Sequence, residues 1–169
     1  MIALTLFDTP VGMMRAAATD EGICLFDFQY RRSIDTIMKR IETLSGDKFV
    51  EGNHPHFITL REQIGEYFLG IRKDFTAPLH LLGTPFQKSV WQGLLQIPYG
   101  ETRSYKQQSI FLGNEKAIRA VAGANGENGI AIIPAGTTNV SKMLPTQAHG
   151  HTSANPHGHW VSADGTKIV

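Results

Sequence analysis

The stretch "SYKQQSIFLGNEKAIRAVAGAN" occupies residues 104–125 and predicts two short helices joined by a tight turn. Ser104 followed three residues later by Gln107 is a capping-box pattern, which marks the start of the first helix. Gly113-Asn114 interrupts the run, and a second helix is expected after Asn114. This spacing is typical of a helix-turn-helix unit and decides the fold expected for the C-terminal part of the chain.

The second of these helices has unusually small side chains. Alanine or glycine occupies these positions: Ala117, Ala120, Ala122, Gly123 and Ala124. Lys116 lies near its start, and Arg119 projects from it. Small residues permit close approach, so the helix suits a nucleic-acid groove, with one cation able to reach phosphate or the base stack. Tight packing against a neighbouring helix explains the same pattern equally well.

Another helix is predicted just before this stretch. Thr84 is expected as its cap, with Pro85 at the first helical position and Gln87 completing a capping box. The expected apolar face consists of Phe86, Val90, Trp91, Leu94 and Leu95. We interpret Trp91 as a core residue.

The N-terminal part has strand-like patterns instead. The runs "MIALTLFD", "GMMRAAAT" and "GICLFDF", separated by turn-like segments, predict a small antiparallel meander. Cys24 lies in the third run between apolar neighbours, which indicates a buried and inert thiol.

Two amphipathic helices are expected after the meander. The first covers "SIDTIMKRIETL", behind a possible Ser33 cap. The second runs from Phe57 to Leu69 and ends at Gly70. Its inner side is expected to consist of Leu60, Ile64, Tyr67 and Phe68.

Composition restricts the class of protein. The chain has 169 residues, 41% of them hydrophobic, so it can bury a core without disulfides or bound metals to stabilise it. A net charge of +1 excludes attraction to nucleic acid by overall charge and leaves only a local patch. With a single cysteine, no basic leader and no apolar run of membrane-spanning length, we expect a cytoplasmic protein without membrane contact. We also expect a monomer.

Several blocks together resemble a known family. "GTPFQKSVWQGLLQIPYGETRSY", "LGN.KA.RAV" and "AN..N.IAII" are similar, in order and spacing, to the DNA-binding, catalytic domain of methylated-DNA:protein-cysteine methyltransferases. "DTPVG", "GICLFDF" and "LREQIGEYFLGIRKDFTAPL" resemble the N-terminal domain of that family. The resemblance extends from about residue 3 to Ile133.

This resemblance implies an α/β (α+β) chain. We expect a ribonuclease-H-like domain with a small sheet and helices over residues 1–82. A winged-helix-like helix-turn-helix domain is expected over 83–133, and an irregular tail over 134–169. The resemblance implies no cofactor.

The family also implies roles for individual residues. Arg119 matches the arginine that enters the minor groove and fills the space left by a flipped nucleotide, and Tyr105 matches the tyrosine that crowds the adjoining phosphate. Asn128 matches the asparagine that braces the active-site turn, whereas Ile118 departs from the family's usual alanine. The candidate DNA-binding residues are Tyr105, Lys106, Lys116, Arg119, Ala120 and Gly123. Flipping favours an alkylated guanine, because that base is poorly paired.

The acceptor motif of the family is absent. Its members continue with Pro-Cys-His-Arg-Val, whose cysteine thiolate, activated through the histidine, takes the alkyl group from guanine. If Pro134 is the family's proline, Ala135 occupies the acceptor position and Gly136 replaces the histidine. We therefore expect no catalytic residue in this segment.

A second alignment does not supply the thiol either. It matches "PHGHWVSADGT" (156–166) to the acceptor motif and places His157 or Gly158 at the acceptor position. Cys24 lies too early in the chain, in a predicted core strand, to replace the missing group.

The composition of the tail differs from that of the rest of the chain. No Lys, Arg, Asp or Glu occurs between Lys142 and Asp164, and a changed reading frame or a truncation near residue 134 would explain this. His149-Gly150-His151 and His157-Gly158-His159 have the spacing of possible metal ligands. Their glycines give no preorganisation, so we expect no metal site.

The leading functional prediction is a DNA-repair alkyltransferase homologue that binds DNA through the minor groove and flips alkylated guanine without accepting the alkyl group. Its expected partners are double-stranded DNA containing alkylated guanine and other repair proteins. Some alkyltransferase-like members also lack the acceptor cysteine, although they keep the His-Arg that this chain lacks. Two alternatives stay open: a non-functional remnant of the methyltransferase, and a helix-turn-helix DNA-binding module without lesion preference.

Overall fold

The computed structural model describes residues 1–99 and 101–130, together with two short strands near the C-terminus. The chain splits into two compact units, Met1–Gly83 and Thr84–Val169. Ala135, the histidine pairs and nearly all of the predicted irregular tail lie outside the described residues. The two strands in the tail, Trp160–Val161 and Lys167–Ile168, pair antiparallel, which the tail's composition did not indicate.

A four-stranded sheet is the centre of the first unit, with the strand order β3-β2-β1-β4. The expected meander is confirmed as β1 (Ile2–Thr9), β2 (Gly12–Thr19) and β3 (Gly22–Phe28), paired antiparallel. The fourth strand, β4 (Phe49–Glu51), pairs parallel with β1 and was not predicted, because three residues are too few for a recognisable period.

The segment leading to the second unit attaches to the edge of this sheet. Ile23 N donates a hydrogen bond to Pro78 O at 2.8 Å, and His80 N donates to Ile23 O at 2.8 Å. Gly22, with φ +152°, makes the contact possible, because a Cβ there would lie 2.6 Å from Pro78 O. This segment therefore extends the sheet at the edge that β3 forms.

Helix α1 (Ile34–Ser45) is amphipathic as expected and buries Ile34, Ile37 and Ile41, but Leu44, which fits the same apolar repeat, is 47% exposed. The prediction that Ser33 caps this helix is wrong in one respect. Ser33 precedes the helix, but its backbone is not extended and its side chain makes no capping hydrogen bond. A capping side chain needs the extended backbone that points it at the first helical N–H groups.

Helix α2 (Pro55–Phe68) begins two residues before the predicted start at Phe57. His54 is extended, and its ring accepts a hydrogen bond from His56 N, so the helix starts with proline at its first position. Leu60 and Ile64 are buried as expected, whereas the aromatic pair at the end of the helix, Tyr67 and Phe68, is only half-buried.

One core cluster of the first unit lies between the sheet and α1. It contains Ile2, Ala17, Cys24, Leu25, Ile34, Ile37, Ile41 and Leu82. Cys24 is 3% exposed, and burial raises the pKa of its thiol to about 12. The predicted burial of Cys24 is therefore confirmed, and its inertness stays a prediction that the raised pKa supports.

A buried ion pair joins the end of β3 to the following turn. The Arg31 guanidinium donates to the Asp27 carboxylate, and both side chains are almost completely buried. Burial raises the pKa of Asp27 from an ordinary 3.8 to about 6, although Arg31 acts in the opposite direction. The folded protein therefore keeps a proton between these values that the unfolded chain has released.

This proton makes a stability prediction possible. The free energy of unfolding of the parent, minus that of Asp27→Asn, should fall as the pH rises from about 4 to about 6 and then stay constant. The neutral asparagine serves as the reference, because it cannot titrate. Urea unfolding of both proteins across this range tests the prediction, and a difference that rises with pH would contradict it.

The second unit begins with α3 (Pro85–Leu94), whose capping box at Thr84 and Gln87 is confirmed. Val90, Trp91 and Leu94 are buried as expected. Phe86 and Leu95 were wrongly placed in the apolar face, since they are 42% and 49% exposed. They lie in the first turn and at the C-cap, beyond the central stripe that this short helix buries.

Helix α4 (Tyr105–Phe111) has the predicted capping box of Ser104 and Gln107. The turn follows at Gly113, whose φ of +78° is readily available to glycine. The second helix does not begin directly after Asn114: a 3-10 turn over Glu115–Ala117 comes first, and α5 (Ile118–Gly126) follows. The predicted α+β class is confirmed, with a small sheet and, over the described residues, five α-helices.

Candidate nucleic-acid interface

Helix α5 has one buried side and one exposed side. Val121 and Ala124 are buried and pack inward. Arg119, Ala120 and Gly123 are exposed, and their spacing places them along one face of α5. Lys116, in the 3-10 turn just before the helix, is exposed as well. We call these four residues the α5 stripe.

The two explanations of the small side chains apply to different residues. Ala124 is 5% exposed and belongs to the packed side. Gly123 is exposed, and a Cβ added there would meet no described atom within 4 Å. Within the described part of the chain, packing therefore explains Ala124 but does not require the glycine at position 123.

The cations of the stripe are available to a ligand. Among the described residues, neither Lys116 nor Arg119 has an ion-pair partner within 4.0 Å. Lys106 differs, because its Nζ lies 3.6 Å from Glu115 Oε1. Both partners of that pair are well exposed, so the interaction is weak and a phosphate could compete for the lysine.

Tyr105 lies at the start of α4 and is 7% exposed. Burial raises the pKa of its hydroxyl, which stays neutral at physiological pH. The predicted contact of Tyr105 with a phosphate would have to involve the small exposed part of the residue. The structure does not test this contact.

Asn128 lies after α5 and is 7% exposed. Its Oδ1 accepts a hydrogen bond from Ile130 N at 3.0 Å, and its own N–H donates to Asn125 O at 3.2 Å. These bonds hold the backbone just before the segment that contains Ala135. The bracing role expected for Asn128 is compatible with this geometry and stays a prediction.

The sequence analysis missed Gln108, which is completely buried in α4. Its Nε2 donates to Val90 O at 2.9 Å, and its Oε1 accepts from Asn125 Nδ2 at 2.7 Å. One signal could have found it: position 108 lies one helical turn after Tyr105, on the same face. The capping-box pattern predicts a role for Gln107 and none for Gln108.

Two further contacts join α3 to α5 and the residue after it. Trp91 is 2% exposed, as predicted for a core residue, and its Nε1 donates to Ala124 O at 2.8 Å. Gln87 donates through Nε2 to the carboxylate of Glu127, while its Oε1 accepts from Thr84 N. The start of α3 and the end of α5 are thus held by side-chain hydrogen bonds.

Residues 84–130 contain five Lys or Arg and three Asp or Glu, which makes this part of the chain mildly basic. Over the described residues, no group of three or more His, Cys, Asp or Glu side chains could hold a metal ion. No helix in the same part of the chain is both long and apolar enough to span a bilayer.

Comparison with protein-family models identifies the segment that contains these helices. The model described as "6-O-methylguanine DNA methyltransferase, DNA binding domain" matches residues 85–135. A Methanosarcina acetivorans protein named methylated-DNA–protein-cysteine methyltransferase is 41% identical over 128 residues, which are 76% of this chain and 76% of that protein. A Bacillus subtilis protein named the constitutive methylated-DNA–protein-cysteine methyltransferase is 38% identical over 128 residues, covering 76% and 74%.

Solved structures agree with this result. The O6-methylguanine methyltransferase of Mycobacterium tuberculosis superposes with a TM-score of 0.64 at 33% identity, covering 79% of this chain and 74% of that one. The structure titled as M. tuberculosis OGT in complex with DNA gives a TM-score of 0.64 at 33% identity, covering 78% and 73%. The sequence blocks, the α+β fold and these relatives agree, and the chain belongs to the family of methylated-DNA–protein-cysteine methyltransferases.

Proposed function

We propose that this chain binds double-stranded DNA containing an alkylated guanine through the α5 stripe, and that it does not accept the alkyl group itself. The binding proposal rests on the exposed face of α5, where Arg119 lies beside the small residues Ala120 and Gly123. The relative solved in complex with DNA supports DNA as the ligand.

The stripe has the shape and charge that groove binding needs. Ala120 and Gly123 leave little side-chain bulk above the helix, so its backbone can approach the sugar-phosphate walls of the minor groove closely. Arg119 is long enough to enter the groove and occupy the space of an extruded nucleotide. Lys116, near the start of the helix, supplies a charge for a phosphate.

The proposal that alkyl transfer is lost rests on the nucleophile. The sequence contains one cysteine, Cys24, which is buried in the sheet of the first unit. Alanine at position 135 has no group that can attack a saturated carbon. A protein that binds the lesion without removing it would mark the site for other repair proteins, which we propose as its partners.

Further parts of this proposal concern organisation. We propose that residues 83–133 act as a helix-turn-helix DNA-binding domain, in which α4 and α5 are the two helices. Residues 1–82 would form a separate domain, and the protein would act as a cytoplasmic monomer. Size-exclusion chromatography with light scattering tests the monomeric state, and a stable dimer would contradict it.

Replacement of Arg119 by alanine tests lesion binding. We expect Arg119→Ala to weaken binding to a duplex containing one O6-methylguanine about tenfold, because an arginine contact within a groove contributes about 1–3 kcal/mol. The fold should be unaffected, since Arg119 is exposed. Fluorescence anisotropy at fixed salt concentration gives the dissociation constants.

The matched control is Lys88→Ala, which removes an exposed cation from α3, outside the α5 stripe. It should weaken binding to damaged and undamaged duplexes by less than about threefold. Equal affinity of the parent for both duplexes would contradict lesion binding and favour a DNA-binding module without lesion preference. Absence of binding to either duplex would favour a non-functional remnant.

A further inference from the structure

We propose that Gln108 and Asn125 form a positioning pair, which sets the orientation of α5 and thereby the preference of the α5 stripe for alkylated guanine. This inference rests on the proposed function. Neither residue belongs to the stripe. Gln108 is completely buried in α4, and Asn125 is half-buried in α5, where its Nδ2 donates to Gln108 Oε1 at 2.7 Å.

Apolar packing alone leaves the orientation of α5 weakly defined. The buried residues of this helix are Val121 and Ala124, both small. Contacts between small apolar side chains have no directional preference, so a rotation or a short slide of the helix changes their energy little. The buried side of α5 thus holds the helix against its neighbours without fixing its rotation or its position along the helix axis.

Hydrogen bonds supply the missing direction, because they weaken steeply when their distance or angle changes. Two of them hold consecutive residues of α5. Trp91 Nε1 donates to Ala124 O at 2.8 Å, and the Gln108 amide accepts from Asn125. Gln108 is itself fixed, since its Nε2 donates to Val90 O at 2.9 Å. The pair therefore connects α3, α4 and α5 through one buried amide.

The same connection continues beyond the helix. Asn125 O accepts from Asn128 N at 3.2 Å, and Asn128 Oδ1 accepts from Ile130 N at 3.0 Å. A displacement of Asn125 would therefore move both the stripe and the backbone that leaves α5. The Gln108–Asn125 pair therefore sets the position of the α5 stripe, on which lesion recognition depends.

The chemistry of the pair favours orientation over simple stability. Asn125 Oδ1 is buried and has no hydrogen-bond partner among the described residues. An unpaired buried polar atom opposes folding, and removing both partners of a buried hydrogen bond can leave stability nearly unchanged. An apolar pair could therefore pack these helices, but it could not fix their register.

The test compares the parent with the double variant Gln108→Leu/Asn125→Ala. Binding is measured with two duplexes that differ only in guanine or O6-methylguanine at one position. We expect the ratio of the two dissociation constants to fall about tenfold in the double variant. Affinity for the undamaged duplex should change less than about threefold, because it depends mostly on exposed cations.

A matched control removes a buried amide from the first unit. Gln63 is 5% exposed, and its Oε1 accepts from Thr76 N and Ala77 N. Gln63→Leu should lower the midpoint of thermal unfolding and leave the ratio of dissociation constants unchanged. The swapped variant Gln108→Asn/Asn125→Gln preserves the combined length of the two side chains and should recover most of the preference.

Hydrogen exchange without DNA separates this inference from the proposed function. The backbone amides of α5 should exchange about tenfold faster in the double variant, with those of α3 nearly unchanged. A ratio of dissociation constants equal to that of the parent would overturn the inference. If the parent itself shows no lesion preference, the proposed function fails, and unchanged exchange in α5 would overturn the positioning role as well. Should the double variant not fold, the single variant Asn125→Ala takes its place.

Discussion

Duplex DNA containing a radiolabelled O6-methylguanine is expected to leave this protein unlabelled after prolonged incubation. The family reaction needs a thiolate, and none of the residues that the two alignments match to the acceptor position, Ala135 in one and His157 or Gly158 in the other, can provide one. The remaining cysteine, Cys24, has its thiol pKa raised to about 12 by burial. At pH 7 a buried thiol with so high a pKa is almost entirely protonated, and we therefore expect no attack by Cys24 on the alkyl group.

The B. subtilis relative named the constitutive methyltransferase is the positive control for this measurement. The substitution Cys24→Ser should give the same absence of label as the parent protein. Intact-mass spectrometry provides an independent readout. A methyl group found on Cys24 after incubation with lesion-containing DNA would refute the prediction and show that the protein is a working alkyl acceptor.

The substitution Trp91→Ala is expected to lower the free energy of unfolding of the second unit by about 3–5 kcal/mol. Trp91 is 2% exposed, and its indole N–H donates to Ala124 O, so truncation creates a cavity and removes a restraint on α5. A loss of this size is comparable to the total stability of a small domain, so much of the variant should be unfolded at 37 °C.

Urea denaturation followed by circular dichroism measures the effect of this substitution. Leu95→Ala serves as the matched control, because Leu95 is 49% exposed and lies at the end of the same helix. The control should change the free energy of unfolding by less than about 0.5 kcal/mol. If Trp91→Ala lowered the free energy of unfolding by less than about 1 kcal/mol, Trp91 would not be a major contributor to the core of the second unit.

Local patterns in the sequence predicted much of the fold correctly. Two capping boxes, at Thr84 and at Ser104, were confirmed because their hydrogen bonds join residues only three positions apart. The meander and the turn at Gly113 were predictable for the same reason, since alternation and glycine punctuation are visible in contiguous residues. The burial of Cys24 also followed from its immediate neighbours.

The errors concern features whose partners are distant in the sequence. Strand β4 owes its position to pairing with β1, about 45 residues earlier in the chain. Phe86 and Leu95 fit the apolar pattern of α3, yet the packing around the helix ends leaves them exposed. Burial depends on which elements lie opposite, and a single helix does not contain that information.

By itself, the sequence determined that the chain has one cysteine, that alanine follows Pro134, and where α3 and α4 begin. These features depend on composition and on interactions between near neighbours. The tertiary structure alone decided that Gly123 lies on the exposed side of α5 and Ala124 on its packed side, and that Gln108 is the buried amide that holds Asn125. The physical reason is that a buried amide needs a partner across the core, here 17 residues away, and only folding brings the two together.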